Sequence, residues 1–379
     1  MAHYLLSKLG LGLKEKENTS NDNNSDPPPP LPQLQVLPHD HFAPSTSGTY
    51  PRLCRLSDGS LLKSYTTFSP AEGERTLAIS RSTDDQARSF HPLGEITRSR
   101  GDCDNCFLLE IKPGTVLAAF RNHDIRPEDG RPTWFRITIC RSEDGGRSWG
   151  FLSQAVEKGA PDGVWEPFMR MGACAGQQEV QLYYSAEGDQ GRRQDTMVVV
   201  SADWGGSWSR PRRVTGGEGG LRDGMVGISE LTDRGTGREG LVMVMETTRY
   251  GTGRFNIEAV VSYDGGLSWG SRQEVYKPTG EGRNAGAPQI ASVAGGEGVV
   301  VVFMTDEDGD GGKWPAGAKI KAVLGAELDN GRINWGRKGE AVFEEGSSWP
   351  GILEVGHAEV LVVSERGSKI AGRLLRLDV

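Results

Sequence analysis

Two glutamates stand where a carboxylate is hard to explain as ordinary surface. Glu166 lies in Gly-Val-Trp-Glu-Pro-Phe, apolar on both sides, and Glu246 ends the apolar run Leu-Val-Met-Val-Met. A carboxylate in such surroundings is either unpaired at high cost or working near a solvent-facing mouth. One neutral and one ionised carboxyl are the minimum for acid–base hydrolysis of a glycosidic bond. On these residues alone, structural roles as acceptors for neighbouring backbone or arginine weigh equally. His123-Asp124 could belong to a nucleophile triad, but no Gly-x-Ser-x-Gly segment accompanies it, so hydroxyl binding is the expected role. Cys103-x-x-Cys106 has no second pair or nearby histidine for zinc, and an odd set of five cysteines is no disulfide framework. The run from Asp306 opens like a calcium loop, yet its twelfth position is Gly317 rather than glutamate. Neither a metal nor a cofactor is expected.

The elements that must position these residues repeat. Ser142-Glu-Asp-Gly-Gly-Arg-Ser-Trp149, Ser201-Ala-Asp-Trp-Gly-Gly-Ser-Trp208 and Ser262-Tyr-Asp-Gly-Gly-Leu-Ser-Trp269 match, with starts 59 and 61 residues apart. A worn copy begins at Ser82, 60 residues before the first, and another, Asp329–Trp335, follows the third by about one period. The pattern resembles the Asp box of sialidase-like β-propellers. Its physics is a hairpin turn: aspartate accepts turn N–H groups, glycine supplies positive φ, and tryptophan packs back between sheets. These aspartates are therefore structural. A period near 60 residues over the roughly 340 outside the N-terminal segment predicts an all-β, six-bladed β-propeller. Residues 1–33 are polar and then proline-rich and are expected to be disordered; residues 34–379 form the propeller. The last blade lacks room for a fourth strand, and the run Gln33–Pro38 is placed to supply it and close the ring.

Composition agrees. Glycine is 53 of 379 residues, about 14% where roughly 7% is usual, as many tight turns would require. The net charge of −8 argues against a nucleic-acid partner. No apolar run reaches the roughly 18 residues of a membrane span. The first residues read as a poor signal peptide, with Lys8 interrupting the apolar part, so location is left open. A monomer is expected.

In a propeller, inner strands begin and second strands end on the same face, opposite the Asp-box turns. That face should carry Tyr50, Arg52, Asn105, Trp165, Glu166, Arg222, Asp223, Gln289 and Trp349 from inner-strand starts. It should also carry Asn122, His123, Asp124, Glu246 and Asp306 from second-strand ends. Carboxylates, amides and aromatic rings together suit a neutral polyhydroxylated ligand.

The chain resembles glycoside hydrolase family 93, the fungal exo-α-1,5-L-arabinanases, through residues 49–379. The resemblance is carried by TYPRL (49–53), FLL and VLAAFRNHD (107–124), GVWEPF (163–168), LRDGM (221–225), the glutamate of VMET (244–247), AGAPQ (285–289), FMTDED (303–308) and WPG (349–351). It implies a six-bladed propeller that releases arabinobiose from linear arabinan by a retaining mechanism with two glutamates. By motif these fall on Glu166 and Glu246; the apolar neighbours of Glu166 assign it as acid/base and leave Glu246 as nucleophile. Arabinan is then the expected partner. Exo action requires one end of the cleft to be closed, and segments 126–133 and 308–315 are long enough to do it. Two rival functions share the fold. A sialidase would use arginines such as Arg52, Arg121, Arg222 and Arg366, but the Tyr-Arg-Ile-Pro segment is missing. A non-catalytic carbohydrate-binding propeller would not need both glutamates.

Overall fold

The computed structural model describes residues 32–42, 47–84, 86–174, 176–217, 220–251, 253–309, 314–336 and 339–378. The polar, proline-rich segment up to Leu31 lies outside them. All regular structure among the described residues is β, in six antiparallel sheets of four strands, one of which carries an extra short strand. The inner strands are Thr49–Arg55, Asp102–Lys112, Val164–Cys174, Gly224–Thr232, Ala285–Val293 and Ser347–Gly356. Each contacts the next in chain order and the last contacts the first, which makes the molecule a six-bladed propeller.

Packing between blades explains why the second strands read as unbroken apolar runs. Each sheet is covered on both faces, so both sets of alternating side chains are buried. In Leu241–Met245, Leu241, Met243 and Met245 pack toward blade three, while Val242 and Val244 pack toward blade five. In Val116–Phe120, Val116, Ala118 and Phe120 face blade one and Leu117 and Ala119 face blade three. Six apolar clusters result, one at each blade-to-blade junction.

The ring closes as the sequence predicts. Leu34–Val36 pairs antiparallel with Lys369–Leu377 as the outermost strand of blade six. That blade is built from both ends of the folded chain.

The repeated turns share one hydrogen-bond pattern. Asp144 accepts the N–H groups of Arg147 and Ser148 at 3.0 and 2.9 Å and the hydroxyls of Ser142 and Ser148. Asp203 and Asp264 repeat it, each accepting a backbone N–H at 2.8 Å. Asp84 does the same with Arg88 and Ser89. Gly146, Gly205 and Gly266 take φ of 91–93°, and a β-carbon there would press on Leu62, Leu117 or Tyr183 of the preceding blade. The fifth copy differs. Asn330 and Gly331, at φ 48° and 80°, make a two-residue hairpin. Blade five instead adds the strand Glu340–Phe343 to its third strand.

Because Asp144 holds a whole turn by side-chain acceptance, Asp144→Ala should lower unfolding free energy by about 1–3 kcal/mol. Denaturant unfolding followed by tryptophan fluorescence measures it; an unchanged midpoint would show that the turn holds without its aspartate.

Candidate active site

Each inner strand departs from ideal pairing at the same place. The register slips between Thr49 and Arg52, Asp104 and Phe107, Trp165 and Phe168, Gly224 and Gly227, Gly286 and Gln289, and Ser348 and Gly351. In every slip one non-glycine residue is left-handed: Tyr50, Asn105, Glu166, Met225, Ala287 and Trp349, with φ of 44–53°. Such conformations cost on the order of 1 kcal/mol or more apiece and persist only where the surroundings impose them. Four of the six precede proline or are followed by it directly, in Tyr-Pro, Glu-Pro, Ala-Pro and Trp-Pro. The bulges form a six-fold ring at one mouth of the channel, and Glu166 is blade three's member of it.

Glu246 reaches the same mouth by strand alternation. It shares the parity of Val242 and Val244, so it points toward blade five, where its Oε2 accepts the Ala287 N–H at 2.8 Å. A β-carbon on Gly286 would lie 2.6 Å from that oxygen and 3.1 Å from the Trp314 ring. The missing methyl is what lets carboxylate and indole share the spot.

Both glutamates are half-buried and both resist ionisation. Burial pushes Glu166 up to about 7, the Glu246 charge adds to the effect, and the Ser185 hydroxyl and Arg121 oppose it. Its Oε2 has no partner among the described residues. Burial also raises Glu246, against the Ala287 N–H and Arg222.

Around them is a braced cationic and aromatic wall. The Arg121 guanidinium lies 5.4 Å from the Tyr50 ring centre and 5.7 Å from that of Trp165. Asp102 and Asp104 hold it at 3.2 Å each, and Arg75 ties the two aspartates together at 2.9 and 3.0 Å. Trp349 stacks on Tyr50 at 4.4 Å. His123 is buried behind Trp165, its Nε2 3.0 Å from the Val164 carbonyl, and burial lowers it to about 4.

The other expected residues divide. Arg52, Asn105 and Gln289 line a small cavity with Glu166 in the channel, and Asn105 Nδ2 is unpartnered among the described residues. Arg52 donates to the carbonyls of Pro51, Trp349 and Pro350, stitching blade one to blade six. Arg222 bonds Gln194 at 2.6 Å and the Gly191 carbonyl, with Glu187 beside it. Asn122 and Asp124 have the opposite strand parity to Arg121 and His123. Asn122 bonds Thr138, and Asp124 is exposed in a two-pronged pair with Arg136 at 2.7 and 2.6 Å. Asp223 is fully buried against Arg272 and Thr247, and Asp306 holds the Asn284 N–H at 2.7 Å. The calcium-like loop is in part outside the described residues, and its Glu307 is engaged by Tyr276 and Lys321. Cys103 and Cys106 are buried thiols, raised by desolvation.

The sequence does not single out Arg75, Asp102, Gly286 or Trp314. The recurring residue-Pro dipeptide at inner-strand starts was the available signal for the bulge ring.

No family model matches the sequence, and no curated protein matches it. Solved structures do. The α-L-arabinanase of Penicillium chrysogenum, complexed with arabinobiose, is 19% identical over 91% of this chain and 98% of its own, with a TM-score of 0.64. The chain has the fold of these glycosidase propellers. The family 93 α-L-arabinofuranosidase of Fusarium graminearum, also with arabinobiose, gives 17%, 89%, 96% and 0.64 in the same order. The intramolecular trans-sialidase of Ruminococcus gnavus, complexed with oseltamivir carboxylate, gives 13%, 88%, 95% and 0.56.

With carboxyl-labelled glutamate, Glu166 should titrate near pH 7 by NMR. Replacing Glu246 with glutamine removes a neighbouring negative charge and should lower that value. An unmoved titration would mean that the two carboxyls do not feel each other.

Proposed function

We propose that the protein is a retaining glycoside hydrolase of the family 93 type, exo-acting on linear α-1,5-L-arabinan and releasing arabinobiose. The observation that carries this reading is the pair itself: two half-buried glutamates at the mouth of a glycosidase-fold channel, the charge of Glu246 helping to hold the proton on Glu166. Glu166, held protonated near neutral pH, gives its proton to the glycosidic oxygen as the bond to the anomeric carbon breaks. Glu246, oriented by the Ala287 N–H, forms the new bond to that carbon and the arabinosyl–enzyme ester. Glu166, now a carboxylate, takes a proton from water, whose oxygen displaces Glu246 and releases the sugar.

The Tyr50–Trp349 stack and Trp165 supply faces for sugar rings, and Asn105 Nδ2 supplies a free donor. Trp314, beside Glu246, is placed to wall one end of the cleft. The arginines speak against a sialidase. Arg52, Arg121, Arg222 and Arg366 are each engaged by carbonyls or carboxylates of the protein, which draws on donors that a substrate carboxylate would need.

Wild type should release arabinobiose from linear arabinan, and Glu166→Gln and Glu246→Gln should each lose about a thousandfold or more in kcat. The rate should fall as pH rises through about 7, where Glu166 loses its proton, and again on acidification, as Glu246 gains one. Release from a sialoside but not from arabinan would move the protein to the sialidases. Tight arabinan binding without cleavage would make it a carbohydrate-binding propeller.

A further inference from the structure

We propose that blade one carries an additional carbohydrate subsite centred on Phe68, which holds residues of the same glycan remote from the bond being cut. The inference rests on the glycosidase reading above.

Phe68 is the penultimate residue of the second strand of blade one, Leu61–Ser69, on the face that holds the bulge ring, and is 62% exposed. Two hollows flank it. One, of about 480 Å³, lies against blade six and is lined by Thr49, Thr66, Thr67 and Glu365. The other, of about 360 Å³, lies against blade two and is lined by Asp102, Ile125 and Pro132. Phe68 and Arg75 border both. Each volume falls within the range of small-molecule sites. An apolar ring standing between two such hollows is a platform on which a sugar can stack while hydroxyls at either side are bonded.

The hollows adjoin the candidate active site along the strands of blade one. Thr49 pairs with Thr66 and immediately precedes Tyr50 of the bulge ring. Phe68 is two residues beyond Thr66, about 7 Å further along the strand. Arg75, which borders both hollows, fixes the aspartates that hold Arg121 against Tyr50 and Trp165. A chain leaving the centre over Tyr50 meets Phe68 next.

The lining also selects the occupant. Across the two hollows it offers threonine hydroxyls, carboxylates at Glu365 and Asp102, and guanidiniums at Arg75 and Arg100. Arg75 is committed to Asp102 and Asp104 and Arg100 is paired with Glu74, so the lining offers an anionic ligand no unpaired cation and sets Glu365 against it. A neutral, hydroxyl-rich chain fits; a sialylated or phosphorylated one does not.

The test is chain-length dependence. For α-1,5-arabino-oligosaccharides of three to eight residues, Phe68→Ala should lower the kcat/KM ratio of octaose to triose roughly tenfold, as expected for losing one buried aromatic contact. Phe68→Trp should keep the wild-type ratio. An equal loss at every length, or no loss, overturns the subsite. If wild type cleaves no arabinan, the function above fails separately. Wild type and Phe68→Ala are then titrated calorimetrically with neutral xylan, galactan and glucan oligosaccharides. Weaker binding by the variant upholds the subsite; equal binding, or none by either, overturns it.

Discussion

Everything at the channel mouth depends on one backbone constraint, the left-handed residue repeated in all six inner strands. Six strands converging on an axis crowd one another, and a bulge relieves the crowding by letting the strand bend and turn one residue aside. The strain is distributed evenly, one residue per blade, and the interblade cores hold it in place. The symmetry is of backbone only. The side chains at the six positions are a phenol, an amide, a carboxylate, a thioether, a methyl and an indole, so an asymmetric site is mounted on a symmetric frame.

The second ordering principle is electrostatic. Acidic groups outnumber basic ones on the chain, yet the site is not a pool of free carboxylate. Asp102 and Asp104 are consumed in bracing Arg121, and Asp223 in bracing Arg272, while Glu166 and Glu246 have no direct guanidinium partner among the described residues. Two like groups in a shrinking dielectric cannot both ionise cheaply, which separates their protonation states. His123 has been withdrawn from this chemistry. Wedged between Phe135 and Trp165, it serves as a neutral support.

Much of this was legible in the sequence because the signals are local. A box turn is written in eight consecutive residues, and a strand buried on both faces is written as an apolar run. The need for Leu34–Val36 in blade six followed from counting strands. What was not legible is set by parity and by distant partners. Asn122 and Asp124 lie at the correct height but on the other side of their strand from Arg121. Asp223 finds Arg272, 49 positions away, a pairing that no nearby residue announces. Met225 and Asn105 occupy the bulge without a following proline, so the dipeptide signal is incomplete.

The seam in blade six bears on how the protein can come into being. The strand Leu34–Val36 must wait for Lys369–Leu377, its partner, and their pairing spans almost the whole folded chain. Loop closure of that length makes the final step slow relative to forming any single blade. Tyr50 and Trp349, from blades one and six, can stack only once those two blades have met. A nascent chain can therefore assemble its blades in order as they emerge, but the mouth is finished only when the ring shuts. A half-made propeller exposes sheet edges and interblade faces until that moment, so a cell making it would rely on rapid closure or on chaperones to keep such chains from associating.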